Sequence, residues 1–358
     1  MFDAIVGNPP YQEELLNTSH SNANVNSIFQ NFQEVADTVS QQNSLIYPGE
    51  RWLLRIGRYM DEFGKEQLNS SSLHKVIHYP DSRDVFDDVW VSGGITVVFK
   101  NKKLDNSGYW EFQRYENGKS ISAMIRTPGE SKISIQPLLN TVIEKTKELN
   151  WQNKLSDTVR TQKFFRISSN AVELNPSEFV LCNSDFSNKP TEDNRFIRVL
   201  TNDKAGKIGK AKWFWTDRKN VRECPEIDQW KIVISSANLT GENGRTPNAE
   251  ILPAKTAVGR VRIVLAAFDT EEEAKNLFKY LSTDMARTLM TTTGNYITGF
   301  GSNVPVPGSL FNNNEDMDFH GTVDEVNEQL FSLINLTKDE KEIVKTITSQ
   351  LSPFAKKL

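Results

Sequence analysis

Residues 2–11 read Phe2-Asp3-Ala4-Ile5-Val6-Gly7-Asn8-Pro9-Pro10-Tyr11. A short apolar run of strand length stops abruptly at Gly-Asn-Pro-Pro, the pattern of a buried strand that ends in a loop. Two consecutive prolines fix φ and remove two N–H donors, so the loop is stiff and presents its carbonyls. An asparagine carbonyl beside a proline carbonyl makes a pair of acceptors for a planar amino group. Drawing hydrogen bonds from an –NH2 localises its lone pair and raises its nucleophilicity. The tyrosine adds a flat face on which a ring can stack. Such a loop suits methyl transfer to the exocyclic amine of a base taken out of its stack. The plainer reading is a strand-to-loop turn in which Asn and Pro are only punctuation.

Downstream of this loop the first hundred residues alternate between strand and helix patterns. Ile28, Phe29, Phe32, Val35 and Ala36 recur at helical spacing, and Ser44 to Tyr47 is a short apolar segment closed by Pro48-Gly49. Arg58 to Leu68 has helical composition, with Met60, Phe63 and Leu68 as inward positions and Gly64 weakening the helix. Leu73 to His78 and Ile95 to Phe99 are β-branched runs of strand length. This order predicts a largely parallel sheet covered by helices. After about residue 105 the rhythm changes, and a helix between Pro137 and Leu149 is expected to link two domains, 1–150 and 151–358. Ile263 to Ala267 reads as a buried strand leading into a helix capped by Thr270 with Glu273 three residues on. Its apolar stripe is Ala274, Leu277, Phe278, Leu281, Met285 and Leu289, and Thr322/Glu325 and Thr337/Glu340 repeat the capping signature.

Composition narrows the class further. At 358 residues the chain fits two domains of roughly 150 residues each. Charged residues make up 25% of it, which argues against wholesale disorder. No stretch approaches the ~20 apolar residues of a membrane helix and no signal-peptide pattern opens the chain, so a cytoplasmic protein is expected. Two cysteines, Cys182 and Cys224, exclude a disulfide scaffold and a four-cysteine zinc site, and both read as inert thiols. With 42 Lys and Arg against 46 Asp and Glu the chain is not uniformly basic, yet phosphate contact depends on where charge sits. Lys204 to Arg222 holds Lys204, Lys207, Lys210, Lys212, Arg218, Lys219 and Arg222 against Asp217 alone. Trp213 and Trp215 lie within it, a combination that suits DNA phosphates and groove packing, or else a solvated hairpin whose tryptophans face inward. His74 and His78, four apart on a strand and expected on one face, lack carboxylate or cysteine companions, so no metal site is read. Asp81 and Asp84 follow a proline, but no Asp/Glu-x-Lys partner accompanies them as a nuclease centre would require.

The segment FDAIVGNPPYQ resembles the catalytic motif of amino-group methyltransferases that use S-adenosylmethionine, above all N6-adenine DNA methyltransferases of fused type II (type IIG-like) restriction–modification enzymes. YPGERWLLRIGRYMDEFGKEQLN (Tyr47 to Asn69) and HYPDSRDVFDDVWVSGGITVVFKNKK (His78 to Lys103) are similar to the segments that follow in the methylase half of those enzymes, the latter to the strand pair closing the base pocket. Leu277 to Pro307, with TTTGNYITGFGSNVPVP, resembles the end of their target recognition region. The resemblance implies an α/β fold, the second half of a class I S-adenosylmethionine-dependent methyltransferase sheet followed by a mixed α+β target recognition domain. It implies that Asn8 and Pro9 accept the adenine N6 hydrogens, with Pro10 and Tyr11 completing the motif, and that Tyr11 and Phe99 pack on the flipped base. Asn8 would also border the cofactor. Double-stranded DNA is then the partner, contacted by the basic segment.

The family binds its cofactor through a glycine-rich loop and an acidic residue that normally precede NPPY, and only seven residues precede Asn8 here. Downstream, Gly299-Phe300-Gly301 is followed by Val304-Pro305-Val306-Pro307 where a helix should begin, so that match fails. The expectation is therefore a chain that lacks most of the S-adenosylmethionine site, is inactive alone, and requires an N-terminal methyltransferase half or subunit. Three other readings stay open: a non-enzymatic DNA recognition fragment or split subunit, a protein glutamine methyltransferase, which also carries NPPY, and cytosine-N4 methylation, which usually goes with Ser in place of the first Asn.

Overall fold

The computed structural model describes residues 2–13, 26–57, 59–149, 151, 153–191, 194–206, 208–292, 300–307 and 317–355. The chain divides into two compact units, Met1–Glu144 and Lys145–Leu358.

In the N-terminal unit the sheet strands are β1 (Phe2–Gly7), β2 (Ser40–Pro48), β3 (Leu73–Tyr79), β4 (Ile95–Asn101), β5 (Tyr109–Glu116) and β6 (Lys119–Arg126), in the spatial order β1-β2-β4-β3-β5-β6. Helix α1 (Phe29–Val39) carries the chain from β1 to β2, and those two strands pair in parallel. The expected largely parallel sheet is in fact mixed. Between β3 and β4 residues 80–94 form only a short 3-10 turn, Ser82–Asp84, too little for a parallel crossover. Strand β4 therefore inserts antiparallel to both β2 and β3, while β5 joins β3 in parallel and β6 closes the far edge antiparallel.

One face of this sheet is the core. Leu45, Tyr47, Val76, Val98, Phe112 and Ile125 meet Phe29 and Ala36 of α1, Trp52 and Leu53 of the short helix Arg51–Leu54, and Phe63 and Leu68 of α2 (Met60–Leu68). The inward stripe of α1 is Phe29, Gln33 and Ala36, so Phe32 and Val35, one position off that stripe, face outward. Gly64 has a packing role that its low helix propensity conceals: a Cβ there would lie 2.1 Å from the Trp52 carbonyl oxygen. Beneath the same face runs a polar network. Asp37 accepts from Gln33 Nε2 at 2.8 Å, Asn43 Nδ2 at 2.9 Å and Lys100 Nζ at 2.7 Å, and Lys100 also donates to Gln67 Oε1 at 3.0 Å. The Tyr47 hydroxyl donates to Gln33 Oε1, and burial, then Asp37, push that phenol well above its usual range.

The opposite face is open. Val6, Ser44 and Phe99 lie in one register row on it, with Lys75 and Glu111 continuing the row as a 2.9 Å ion pair. Phe2 is 65% and Val6 83% exposed, and β1 is the sheet's outer edge.

In the second unit β7 (Phe196–Asn202) and β8 (Ala211–Asp217) form a sheet with Val180–Leu181 and Thr256–Val258, and β9 (Trp230–Ser235) and β10 (Arg262–Phe268) form another with Glu250–Leu252. Phe165, Ile197, Val199, Phe214, Ile227, Val233 and Val264 share the core between them. The apolar stripe from Ala274 to Leu289 belongs to two helices, Glu271–Ser282 and Asp284–Thr291, separated at Thr283, whose backbone is extended and whose hydroxyl accepts from the Ala286 N–H. The capping boxes at Thr270/Glu273, Thr322/Glu325 and Thr337/Glu340 are all formed.

Candidate active site

Strands β1, β2 and β3 run in the same direction, so the loops after Gly7, Pro48 and Tyr79 share one rim, the carboxyl-end position where open α/β sheets bind ligands. The loop Asn8–Tyr11 is built as its residues require. Pro9 is buried and pins the turn, while Asn8 and Pro10 are exposed. The Ile28 N–H donates to the Tyr11 carbonyl at 3.1 Å, and Gln12–Glu13 pairs with Asn26–Ser27. These bonds tie the loop to the start of α1. Among the described residues neither the Asn8 amide nor the Pro9 carbonyl has a hydrogen-bond partner, so both acceptors stand free beside each other in the chain. Tyr11 is half-buried against the core, its hydroxyl enclosed without a partner among the described residues and its pKa raised by that burial.

Phe99 is placed elsewhere. It sits at the level of Val6, two strands from β1 on the open face, with its ring 6.3 Å from that of His74. The structure does not bring it to Tyr11. Among the described residues, Trp90 is an exposed ring on the rim, 71% exposed in the loop after β3. Sequence reasoning passed over it, although a tryptophan inside the polar run Asp-Asp-Val-Trp-Val-Ser-Gly-Gly is itself a signal.

His74 and His78 do not share a face. A bulge between Leu73 and Lys75 shifts the register, leaving His74 beside Phe99 and His78 opposite Thr96 on the core side. The His78 ring is fully buried: its Nε2 meets the Gly93 carbonyl at 3.3 Å and its Nδ1 faces Arg114 Nη1 at 3.1 Å. That arrangement fits neutral imidazole, with Nε2–H donating and Nδ1 accepting. Burial, aided by the Arg114 charge, lowers its pKa to about 4. Glu50 Oε2 lies 3.7 Å from Nε2, and burial raises that carboxyl above its usual range. Asp81 caps the 3-10 turn and is held at about 2 by Arg83, a structural pairing rather than a free carboxylate. Among the described residues no group of three or more His, Cys, Asp and Glu is placed to hold a metal ion.

The basic segment of the second unit is partly neutralised. Lys212 pairs with Asp203 at 2.9 Å, Arg218 with Glu223 and Asp228 at 2.5 and 2.6 Å, and Lys219 approaches Asp217 at 3.7 Å. Trp215 is buried and donates to Asn188 Oδ1 at 3.3 Å, so it is not offered to a groove. Trp213 is half-buried against Phe186, and the Arg198 guanidinium covers both rings at 4.5 Å (Phe186) and 5.7 Å (Trp213). Lys204 and Lys210 are exposed, and Lys207 lies outside the described residues. Arg222 is exposed and stacks on Phe164 at 4.8 Å. Burial pushes the Cys182 thiol up to about 11 and also raises Cys224, as inert thiols require.

Phe300 is buried, and a Cβ at Gly301 would lie 2.8 Å from the Leu155 side chain, so that glycine serves packing within the chain. Gly299 lies outside the described residues. Among the described residues no helix is long and apolar enough to cross a membrane.

No curated protein matches the chain. Among solved structures it is similar to the type IIL restriction-modification enzyme MmeI in complex with DNA, at 10% identity and a TM-score of 0.36, over 98% of this chain and 55% of that one. It is also similar to the type IIG restriction endonuclease BpuSI, at 12% identity and a TM-score of 0.30, over 90% of this chain and 48% of that one. A modification subunit of a putative type I restriction enzyme from Vibrio vulnificus YJ016 matches at 12% identity and a TM-score of 0.23, over 45% of this chain and 35% of that one. Scores this low do not inform the fold, and the chain spans only about half the length of the first two structures. The family model of the Eco57I restriction-modification methylase matches residues 1–86, the stretch that carries β1, the Asn8–Tyr11 loop and β3, so over those residues the chain is similar to restriction-modification methylases.

Proposed function

We propose that this chain is the portion of a restriction–modification DNA methyltransferase that binds the target amino group and reads DNA, acting on adenine N6. The observation that carries the reading is the pair of acceptors without a partner among the described residues, Asn8 and the Pro9 carbonyl, on a proline-stiffened loop at the carboxyl end of β1. Their role is to take the two hydrogens of a flipped adenine's amino group and so hold its nitrogen lone pair toward the methyl donor. Tyr11 supplies the adjacent ring face, and the buried Pro9 keeps the loop from relaxing when the base arrives. Fixing the nucleophile's orientation is the chain's contribution to rate.

S-adenosylmethionine is the donor the family likeness suggests, and most of its site is assigned to a further segment or subunit. The open sheet face and outer edge support that assignment. Strands paired in parallel are normally covered on both faces, yet Phe2 and Val6 of β1 are exposed and its outer edge is unpaired among the described residues. An N-terminal half adding strands beyond β1 would cover them. The unit Lys145–Leu358 is assigned target recognition on duplex DNA.

The test is Asn8→Ala in the assembly restored with an N-terminal methyltransferase half. Transfer to adenine is expected to fall by at least about a hundredfold, the usual cost of a lost transition-state contact, with duplex binding nearly unchanged. Substantial residual methylation of adenine by Asn8→Ala would remove the central assignment.

A further inference from the structure

Residues 158–168 carry Arg160, Lys163 and Arg166 and no acid. The fold brings Arg222 to the same turn: its N–H donates to the Phe165 carbonyl at 3.0 Å and its guanidinium lies 4.8 Å from the Phe164 ring centre. Arg160 approaches that ring from 5.8 Å and is itself fixed by Glu226 at 2.8 Å. The neighbouring acids are therefore engaged, Glu226 by Arg160 and Glu223 by Arg218. Lys163, Arg166 and Arg222 are exposed and have no acidic partner among the described residues. Lys163 and Arg166 both sit at φ 62, a left-handed backbone that side chains seldom adopt, which turns two cations outward within four residues.

From this contrast with the neutralised cations of β8 and the turn after it, we propose that Lys163, Arg166 and Arg222 form the phosphate-contacting patch of the second unit. The ligand is the backbone of duplex DNA, so the inference rests on the reading above. An unpaired cation releases a DNA counterion when it meets a phosphate, whereas a cation already held by a carboxylate has less to gain. Phe164 keeps Arg222 extended, and the Lys163–Arg166 turn, closed by a 2.7 Å hydrogen bond from the Arg166 N–H to the Lys163 carbonyl, holds the other two charges beside it.

The experiment measures binding of a 30-base-pair duplex to the full chain as a function of salt. Lys163→Gln/Arg166→Gln/Arg222→Gln is expected to weaken binding at least about tenfold at low salt and to flatten the log–log salt slope by up to about 0.9 per lost contact. A comparison variant, Lys212→Gln/Lys219→Gln, removes paired cations and is expected to change the slope by much less. Charge-conserving Lys163→Arg/Arg166→Lys/Arg222→Lys should keep the wild-type slope, which separates charge loss from misfolding. If the wild-type chain binds and the glutamine triple keeps its slope, the patch is refuted while the DNA reading stands. If the wild-type chain binds no duplex at any salt concentration, the DNA reading falls and the patch with it.

Discussion

Lowering the pH should loosen the N-terminal unit through His78. The ring is wholly buried between the Gly93 carbonyl and the Arg114 guanidinium, and both contacts suit the neutral form. Adding a proton at Nδ1 would turn an acceptor into a donor facing another donor, next to an existing positive charge. The folded imidazole titrates at about 4, against an ordinary value near 6.5 in the unfolded chain. Between those values the unfolded state binds the extra proton, so stability falls as pH drops through that window and is fully regained above it. At about 1.4 kcal/mol per pH unit the folded state loses about 3 kcal/mol by pH 4. Glu50, whose pKa is raised, contributes with the opposite sign, so the difference between the wild type and a non-titrating His78→Gln variant is the quantity to measure. Amide hydrogen exchange at Val76 and Val98, corrected for intrinsic rates, reports the opening free energy of β3 and β4 at each pH. NMR of the imidazole C–H resonances reports the titration directly. An imidazole that titrates near 6.5, or wild type and His78→Gln losing stability in parallel from pH 6.5 to 4, would refute the reasoning.

Two further substitutions probe the packing under the sheet. Lys100→Ala should cost about 3 kcal/mol in urea unfolding of the N-terminal unit, the lower end for stripping one partner from a buried ion pair, because Asp37 keeps Gln33 and Asn43 and is 26% exposed. Gly64→Ala should destabilise by about 1–2 kcal/mol, read from the same transition: better helix propensity offers about 1 kcal/mol, but the new methyl meets the Trp52 carbonyl. A stabilised Gly64→Ala would show that the two helices separate freely.

What was legible in the sequence was legible because it was local. The strand Phe2–Gly7, the proline loop and the three Thr/Glu capping boxes are each decided within a few residues and each formed, but the strand, expected to be buried, leaves Phe2 and Val6 exposed because it is the sheet's edge. Pairing direction was not legible, because it depends on whether residues 80–94 supply a crossover helix, and that segment is too rich in turn-forming residues to do so. The two histidines went to opposite faces through a single bulge, which a strict period of two does not reveal. In the basic segment, composition counted Lys212, Arg218 and Lys219 as available charge. The acids of Lys212 and Arg218, namely Asp203, Glu223 and Asp228, lie outside the segment and are brought in by turns and hairpin register, while Lys219 approaches Asp217 within it.

The candidate site itself depends on both kinds of information. Asn8, Pro9, Pro10 and Tyr11 are consecutive, so the motif could be read directly, but the support that makes the loop useful is remote. The Tyr11 carbonyl is held by Ile28, Ile28 precedes α1, and α1 is locked to the sheet by Asp37 through Lys100 of β4 and Asn43 of β2. A polar lock in this position fixes the register of α1 more narrowly than an apolar contact, since Gln33, Asn43 and Lys100 each require the Asp37 carboxylate within hydrogen-bond distance. The loop that would orient an amino group is thus fastened at one end to the edge strand and at the other to a helix whose position is set from the middle of the sheet. The edge strand is the weaker anchor, exposed on its outer side. A segment that pairs with β1 would therefore stiffen the Asn8–Tyr11 loop as well as complete the sheet.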